Sequence, residues 1–501
     1  MTDAVETTPA PAERRPGMLV GVAWMLGFRA FDRVAGICSI LVLARLLLPE
    51  HFGLVALASG VVAFIELLAS LGLDTILVQR REISRAIYDT AWTIQLGIGV
   101  LCASLLCAAA IPASMFFREP RLESVIYALA LGLVIDGAVN IRVVDFRRAM
   151  RFDREFLFMA TRRVVAVTMT LGSAFVLRNH WALAIGIISS RATGLVMSYV
   201  MVPYLPRLTL SMRAELLGHS TWLFLGNVVL FARQRAAEFT LGRISGTTSV
   251  GTYLLASDLA NTLSQELVSP INRVALPDLS AQSGPQAIAR RFDLLTGQLA
   301  IVLTPLCFGL SACAGPVVGL LFGAKWAASV DVLRILAIGG WIAGLASNVG
   351  IGFLSLGLYR ANVRIHVIGI CTLLPLLIFG AQFAGAQGAA LAVLAANAVT
   401  VLASLIVSKQ ATDYGPLDFV KRVWRPVVAS ALMYGCILLV DAWLPPTWPV
   451  ALRLAVDVAA GAASYLLLLF LLCVICRAHD GAERMTLDLI AKLWARLRRK
   501  A

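Results

Sequence analysis

At 501 residues, with 59% apolar and 14% charged side chains and a mean hydropathy of +0.83, the chain is too hydrophobic for a protein whose solvent is water. Its apolar residues fall in uninterrupted runs of about 20, the length needed to cross a hydrocarbon core of roughly 30 Å, and nothing alternates over strand length as a membrane β-barrel requires. The formal net charge of +14 comes largely from cations between these runs, so no nucleic-acid partner is expected.

In chain order, the pattern predicts an all-α polytopic membrane protein of about fourteen spans. They cover 19–47, 52–72, 89–111, 122–142, 157–177, 181–202, 217–243, 249–276, 293–321, 331–356, 361–382, 386–408, 424–444 and 450–476. The first 17 residues contain acids and no apolar centre, which reads as a flexible tail and not a cleavable signal peptide. The expected organisation is tail 1–17, an amino-terminal six-helix lobe 18–203, a second six-helix lobe 204–410, an extra hairpin 411–476, and a basic amphipathic tail 477–501 on the anionic inner leaflet. Basic residues set the orientation. Placing the amino terminus inside assigns Arg80, Arg81, Arg85, Arg147, Arg148, Arg151, Arg290, Arg291, Lys421, Arg422 and Arg425 to inner loops. Outer loops then keep little beyond Arg118, Arg121, Arg178, Lys325 and Arg453. Both termini are therefore expected in the cytoplasm, as an even number of spans also requires.

Several functional classes drop out on this pattern. Loops stay within roughly 20 residues, leaving no room for a soluble catalytic domain. A phosphate-cradling glycine loop ahead of Lys and Ser/Thr is missing, which argues against a built-in ATPase. Most of the nine cysteines fall inside spans and read as packing residues, including the Cys473/Cys476 pair. The five histidines are scattered and suggest neither a metal site nor a catalytic base. No cofactor and no enzyme activity are expected.

An internal repeat bears on mechanism. Ala44–Ser59 and Gly242–Ser257 align at one offset, matching Arg45 with Arg243, Gly53 with Gly251, and Leu57-Ala58-Ser59 with Leu255-Ala256-Ser257. Six spans separate the copies, so both halves point the same way, the plan of a rocking transporter with two lobes related by an axis along the membrane normal.

Charges near mid-membrane are the candidate site, because each costs roughly 2.5–3.5 kcal/mol at the bilayer centre unless it faces protein or water. Arg29, Asp32 and Arg33 fall in the first span; Arg233, Arg235 and Glu238 fall at similar depth in the seventh. Glu66, Asp258 and Glu266 occupy the second and eighth spans, with Asp136 in the fourth and Arg191 in the sixth. One reading is internal pairing of Asp32 with Arg29 and of Glu238 with Arg235, each at i,i+3. The other takes the surplus of arginine over acid in these two clusters as a site for an anionic ligand, since a guanidinium grips phosphate in a bidentate fork and stays charged. Asp32, Glu66, Glu238, Asp258 and Glu266 are then either cavity salt-bridge partners or proton- or sodium-coupling groups.

The strings LARLLLPEHFGLVALA (43–58), AEFTLGRISGTTSVGTYLLAS (237–257), VALPDLS (274–280) and LLFGAKWAASVDVLRILAIGG (320–340) resemble the polysaccharide transporters of the multidrug, oligosaccharidyl-lipid and polysaccharide exporter superfamily. The likeness is to lipopolysaccharide and exopolysaccharide repeat-unit flippases of the bacterial inner membrane. It implies two six-helix bundles plus a hairpin, a lipid-linked oligosaccharide on undecaprenyl pyrophosphate as substrate, and a basic cavity, a role that falls to Arg29, Arg33, Arg233 and Arg235. A polysaccharide polymerase and a chain-length regulator are the partners it suggests. Three alternatives stand beside it: a lipid II flippase, a multidrug or organic-cation antiporter of the same superfamily, against which the arginine surplus argues, and a membrane glycosyltransferase or polymerase, which would need a sizeable outer loop.

Overall fold

Inside a bilayer, backbone N–H and C=O groups have no water to bond, so apolar runs satisfy them internally as helices. The computed structural model describes residues 18–68, 73–80, 83–213, 221–280, 282, 284–445 and 447–475. Among these the chain is helical throughout, with short connections and no strand. The two expected tails, 1–17 and 477–501, lie outside the described residues, as do Arg81 and Cys476.

The helices are α1 (Met18–Leu46), α2 (Pro49–Leu68), α3 (Leu73–Gln79), α4 (Arg85–Phe117), α5 (Arg121–Gly137), α6 (Val144–Arg148), α7 (Phe152–Leu177) and α8 (Trp181–Met201), followed by α9 (Thr221–Ile244), α10 (Gly246–Ser280), α11 (Pro285–Ala312), α12 (Ala314–Leu321), α13 (Ser329–Leu345), α14 (Ser347–Ser355), α15 (Tyr359–Thr412), α16 (Pro416–Trp443) and α17 (Val450–Ile475). Among the described residues nine helices are long and apolar enough to cross a membrane, and a bent pair, Arg121–Gly137 with Ile141–Arg148 at 67°, makes a tenth. The chain is a multi-pass membrane protein. Three more helices, α1, α9 and α10, reach 29, 24 and 35 residues; they carry Arg29, Asp32, Arg33, Arg233, Arg235, Glu238, Asp258 and Glu266.

The longest helix is two arms. A straight helix of 54 residues would run about 81 Å, far beyond the bilayer core. The chain instead breaks at Ala384 (φ −137°, ψ 18°) and Gly385 (φ 53°, ψ −127°). A Cβ on Gly380 would stand 2.3 Å from the Gly388 carbonyl oxygen, and one on Gly388 would stand 1.9 Å from that of Gly380. Backbones eight positions apart meet only if the chain folds back, so the α15 arms correspond to the separate spans expected at 361–382 and 386–408.

The chain divides into two compact units, one of 1–46, 61–112 and 123–220, the other of 47–60, 113–122 and 221–501. In the first, α7 packs along α8 and α1 packs along α7. Trp24 of α1 meets Phe156 of α7 with ring centroids 5.1 Å apart, and the Cα of Gly137 stands 2.8 Å from where a Gly99 Cβ would be, bringing α4 and α5 into backbone contact. Small residues at such crossings let helix backbones approach where lipid offers no hydrophobic drive. In the second unit, α11 packs on α16 and α13 on the α15 arms. One core there gathers Phe292, Val349, Phe353, Ile365, Leu405 and Tyr414; another joins Ala312, Cys313, Ala429, Met433, Ile437 and Tyr465.

Candidate functional site

The first unit pairs its charges between helices, in one isolated pair and one group of four. Asp32 of α1 pairs with Arg163 of α7 at 3.0 Å. On α5, Asp136 is shared between Arg191 of α8 at 3.2 Å and Arg162 of α7 at 3.9 Å. The second Arg191 nitrogen donates to Glu66 of α2 at 3.0 Å. Three carboxylates and three guanidiniums from five helices thus balance, although only Arg191, at 15%, is well below a third exposed. Glycines on neighbouring helices make the room: a Cβ on Gly36 would stand 2.7 Å from an Arg163 Nη, one on Gly132 would stand 2.8 Å from Arg191 Cδ, and one on Gly194 would stand 2.9 Å from Arg162 Nε.

This arrangement corrects the expected i,i+3 pairing of Asp32 with Arg29. The Asp32 carboxylate goes to Arg163 on another helix, and Arg29 lies exposed on α1 with no ion pair among the described residues. Asp32 and Arg163 meet where α1 packs along α7. Arg33 is half-buried on the same helix.

In the second unit, the expected pair forms on α9: Arg235 donates to Glu238 at 2.6 Å. Arg233, two residues earlier, is different. Its guanidinium hydrogen-bonds the His366 ring at Nδ1, 3.0 Å away, and donates to the Asn397 side-chain oxygen at 3.4 Å. No carboxylate pairs with it among the described residues. These groups line a cavity of about 310 Å³ whose polar side also has Ser347, Asn362 and Thr400, and whose other side is apolar, with Ile351, Ile365 and Val401. A cation in a bundle surrounded by amides, hydroxyls and an imidazole has its hydrogen bonds partly met and its charge unmet.

Asp258 and Glu266 sit exposed along α10, so the structure joins Glu66 to the first unit's network and leaves these two apart from Arg233. Sequence reasoning passed over Arg162, Arg163, His366 and Asn397. The adjacent arginines of α7 carried the same mid-membrane signal as those of α1. His366 and Asn397 gave none, because an uncharged ring and amide matter only once α9 and the α15 arms bring them to Arg233. Among the described residues there is no group of three or more His, Cys, Asp or Glu able to hold a metal ion.

The sequence profile of the polysaccharide biosynthesis protein family matches residues 42–331, more than half of the chain. The chain is 24% identical to the lipopolysaccharide biosynthesis protein WzxC of Escherichia coli (strain K12) over 406 residues, 79% of this chain and 82% of that one. It is 27% identical to the succinoglycan biosynthesis transport protein ExoT of Rhizobium meliloti (strain 1021) over 307 residues, 59% of this chain and 61% of that one. Among solved structures, the inward closed conformation of the lipid II flippase MurJ superposes with a TM-score of 0.69 at 13% identity, covering 91% of this chain and 99% of that one. At that identity the likeness is one of fold.

Proposed function

Because the chain belongs to the polysaccharide biosynthesis protein family, we propose that it is a flippase that moves undecaprenyl-pyrophosphate-linked oligosaccharide repeat units from the inner to the outer leaflet. The observation that carries this reading is Arg233, a half-buried guanidinium whose partners among the described residues are the neutral His366 and Asn397, in a cavity with a polar side and an apolar one. A diphosphate supplies the charge the cavity lacks, and sugar hydroxyls match its amides and hydroxyls. Such a headgroup cannot cross hydrocarbon unaided, since each unsatisfied polar group costs several kcal/mol there. The protein lends it a wet cationic path, opening to one face and then the other, while the polyprenyl tail stays in lipid.

The roles of WzxC in lipopolysaccharide biosynthesis and of ExoT in succinoglycan biosynthesis transport support a repeat-unit substrate. A lipid II flippase is the second reading, favoured by the MurJ-like fold; it shares the polyprenyl diphosphate and differs in the sugar. On either reading Arg29, Arg33 and Arg235 are further candidate cations for the substrate, and Asp32, Glu66, Glu238, Asp258 and Glu266 temper the grip of cations or couple an ion. Splitting α15 and counting the bent pair and the three charged helices gives fourteen spans, with both termini in the cytoplasm, and a polymerase and a chain-length regulator act downstream.

The test uses purified protein in liposomes carrying fluorescent undecaprenyl-pyrophosphate oligosaccharide or, in parallel, lipid II, with an impermeant quencher reporting leaflet exchange. Exchange of the first that collapses in Arg233→Gln supports the repeat-unit reading. Exchange of lipid II alone turns it to the second reading, and exchange of neither overturns both.

A further inference from the structure

The hairpin of α16 and α17 carries charge that the proposed transport path does not use. Asp441 lies two residues before the end of α16; Arg453 and Asp457 lie four residues apart on α17, on one helix face. Arg453 donates to Asp441 at 2.6 Å. Asp457 is 1% exposed, and neither of its carboxyl oxygens has a hydrogen-bond partner, nor does the buried Nε of Arg453. The site is about 10 Å in from the first residue of α17, within an apolar helix that packs on α16, α11 and α12.

Charge counting then decides the state of the trio. Two carboxyl groups share one guanidinium. With Arg453 given to Asp441, an ionised Asp457 would be a bare buried charge, which protein interiors and membranes do not tolerate without a partner. Among the described residues the charged groups that act on Asp457 are Asp441 and Arg453; Cys313 at the α11–α12 junction feels both acids and brings no positive charge, and Tyr465, in the core that holds Cys313, gives its hydroxyl to the Ile301 carbonyl. One proton neutralises the trio.

We propose that Asp441, Arg453 and Asp457 form a one-proton binding site in the hairpin, separate from the cavity that Arg233 lines. Loaded, Asp457 holds the proton on a carboxyl oxygen while Arg453 binds Asp441. When that O–H proton leaves to water, Arg453 turns to the new carboxylate four residues along its own helix, within i,i+4 reach, and lets go of Asp441. Proton exchange at the hairpin therefore makes and breaks the ionic tie between α16 and α17. This holds whatever lipid the protein moves.

Infrared difference spectra of the full-length protein in lipid nanodiscs read the site directly, through the carbonyl stretch of a protonated carboxyl group. Wild type is expected to show such a band that Asp457→Asn lacks. Asp441→Asn is expected to lack it as well, because Arg453 is then free to pair with an ionised Asp457, and Arg453→Gln is expected to add a second protonated carboxyl. Asp441 is the more exposed of the two acids, so its variant carries the test if Asp457→Asn fails to fold. Spectra unchanged in both Asp variants overturn the proposal. A band lost in Asp457→Asn but kept in Asp441→Asn also overturns it, since the acid would then be neutral without sharing Arg453.

Discussion

Gly53 of α2 and Gly251 of α10 meet backbone to backbone, each lodged against the chain that carries the other. A Cβ on Gly53 would stand 1.8 Å from the Thr247 carbonyl oxygen, and one on Gly251 would stand 1.9 Å from the Pro49 carbonyl oxygen. Pro49 and Thr247 are related by the same offset as the two glycines, so the contact is reciprocal, as at a two-fold axis. The internal repeat read from Ala44–Ser59 and Gly242–Ser257 has thus a physical counterpart: the repeated glycine is the residue at which the two copies cross, and both copies present a small residue four positions apart. Neither glycine can accept a side chain without backbone movement. Gly53→Ala and Gly251→Ala should each destabilise the protein by about 1–3 kcal/mol, seen as a lowered unfolding temperature in detergent. Gly172→Ala on α7, where nothing lies within 4 Å, should be neutral or slightly stabilising. Equal behaviour of all three would mean the crossing is loose.

Arg191 is the hub of the first unit's network and should be its most sensitive member. It serves Asp136 and Glu66 at once and is 15% exposed in its side chain, against 37% and 43% for the two acids. Removing it as Arg191→Gln leaves Glu66 without a partner and Asp136 with only Arg162 at 3.9 Å. Breaking a buried pair from one side costs about 3–5 kcal/mol; partial exposure of the acids lowers the expectation to about 2 kcal/mol. Glu66→Gln and Asp136→Asn each leave Arg191 one acid and should cost under about 1 kcal/mol. The double variant Arg191→Gln/Glu66→Gln should recover part of the loss, because it removes the orphaned carboxylate. Thermal unfolding of the four variants checks the order; an Arg191→Gln as mild as Glu66→Gln would show the network to be decorative.

The contrast between α1 and α9 shows where the sequence was readable. Helix identity was legible because lipid leaves the backbone one solution, and Arg235–Glu238 was legible because an i,i+3 pair is local. Asp32 obeyed the same local rule with Arg29 and yet went to Arg163, since α7 brings a second guanidinium to the same face of α1. Local spacing proposes partners, and packing between helices chooses among them. The 384–385 reversal was legible only as a gap between apolar runs; its cause, glycine backbone contact at 380 and 388, is a tertiary fact. His366 beside Arg233 lay 133 positions away and had no sequence signature at all.

Arg233 and Arg235 should separate function from stability. Arg235→Gln strands Glu238, which is 7% exposed, and should cost about 2–3 kcal/mol, restored largely in Arg235→Gln/Glu238→Gln. Arg233→Gln strands no acid. It gives up hydrogen bonds to neutral partners and should change stability by about 1 kcal/mol or less, while abolishing leaflet exchange of the lipid-linked oligosaccharide. Should Arg233→Gln unfold the protein as readily as Arg235→Gln, its role is structural and the anion reading of the cavity fails.

Tyr204 makes stability fall in alkali. The segment after α8, outside the membrane-spanning helices, returns to α4: the Tyr204 hydroxyl donates to the Asp89 carboxylate, the Arg207 N–H donates to the same carboxylate at 2.9 Å, and the Thr209 N–H donates to Thr93 Oγ1 at 3.1 Å. Burial, and after it the hydrogen bond to Asp89, push the Tyr204 phenol above its ordinary range; burial does the same to Tyr414, in the turn between α15 and α16. Above a pH of about 10 the unfolded chain gives up protons that the folded chain keeps, so the folded form binds more protons and its stability declines as pH rises. The contribution is fully present below that range. Tyr204→Phe should cost about 1 kcal/mol at neutral pH, since Asp89 keeps the Arg207 N–H and Arg85 at 3.8 Å. It should also flatten part of the alkaline decline, and Tyr204→Phe/Tyr414→Phe should flatten more. Unfolding temperatures measured between about pH 8 and 11 follow both effects; a double variant that declines as steeply as wild type would place the alkaline sensitivity elsewhere.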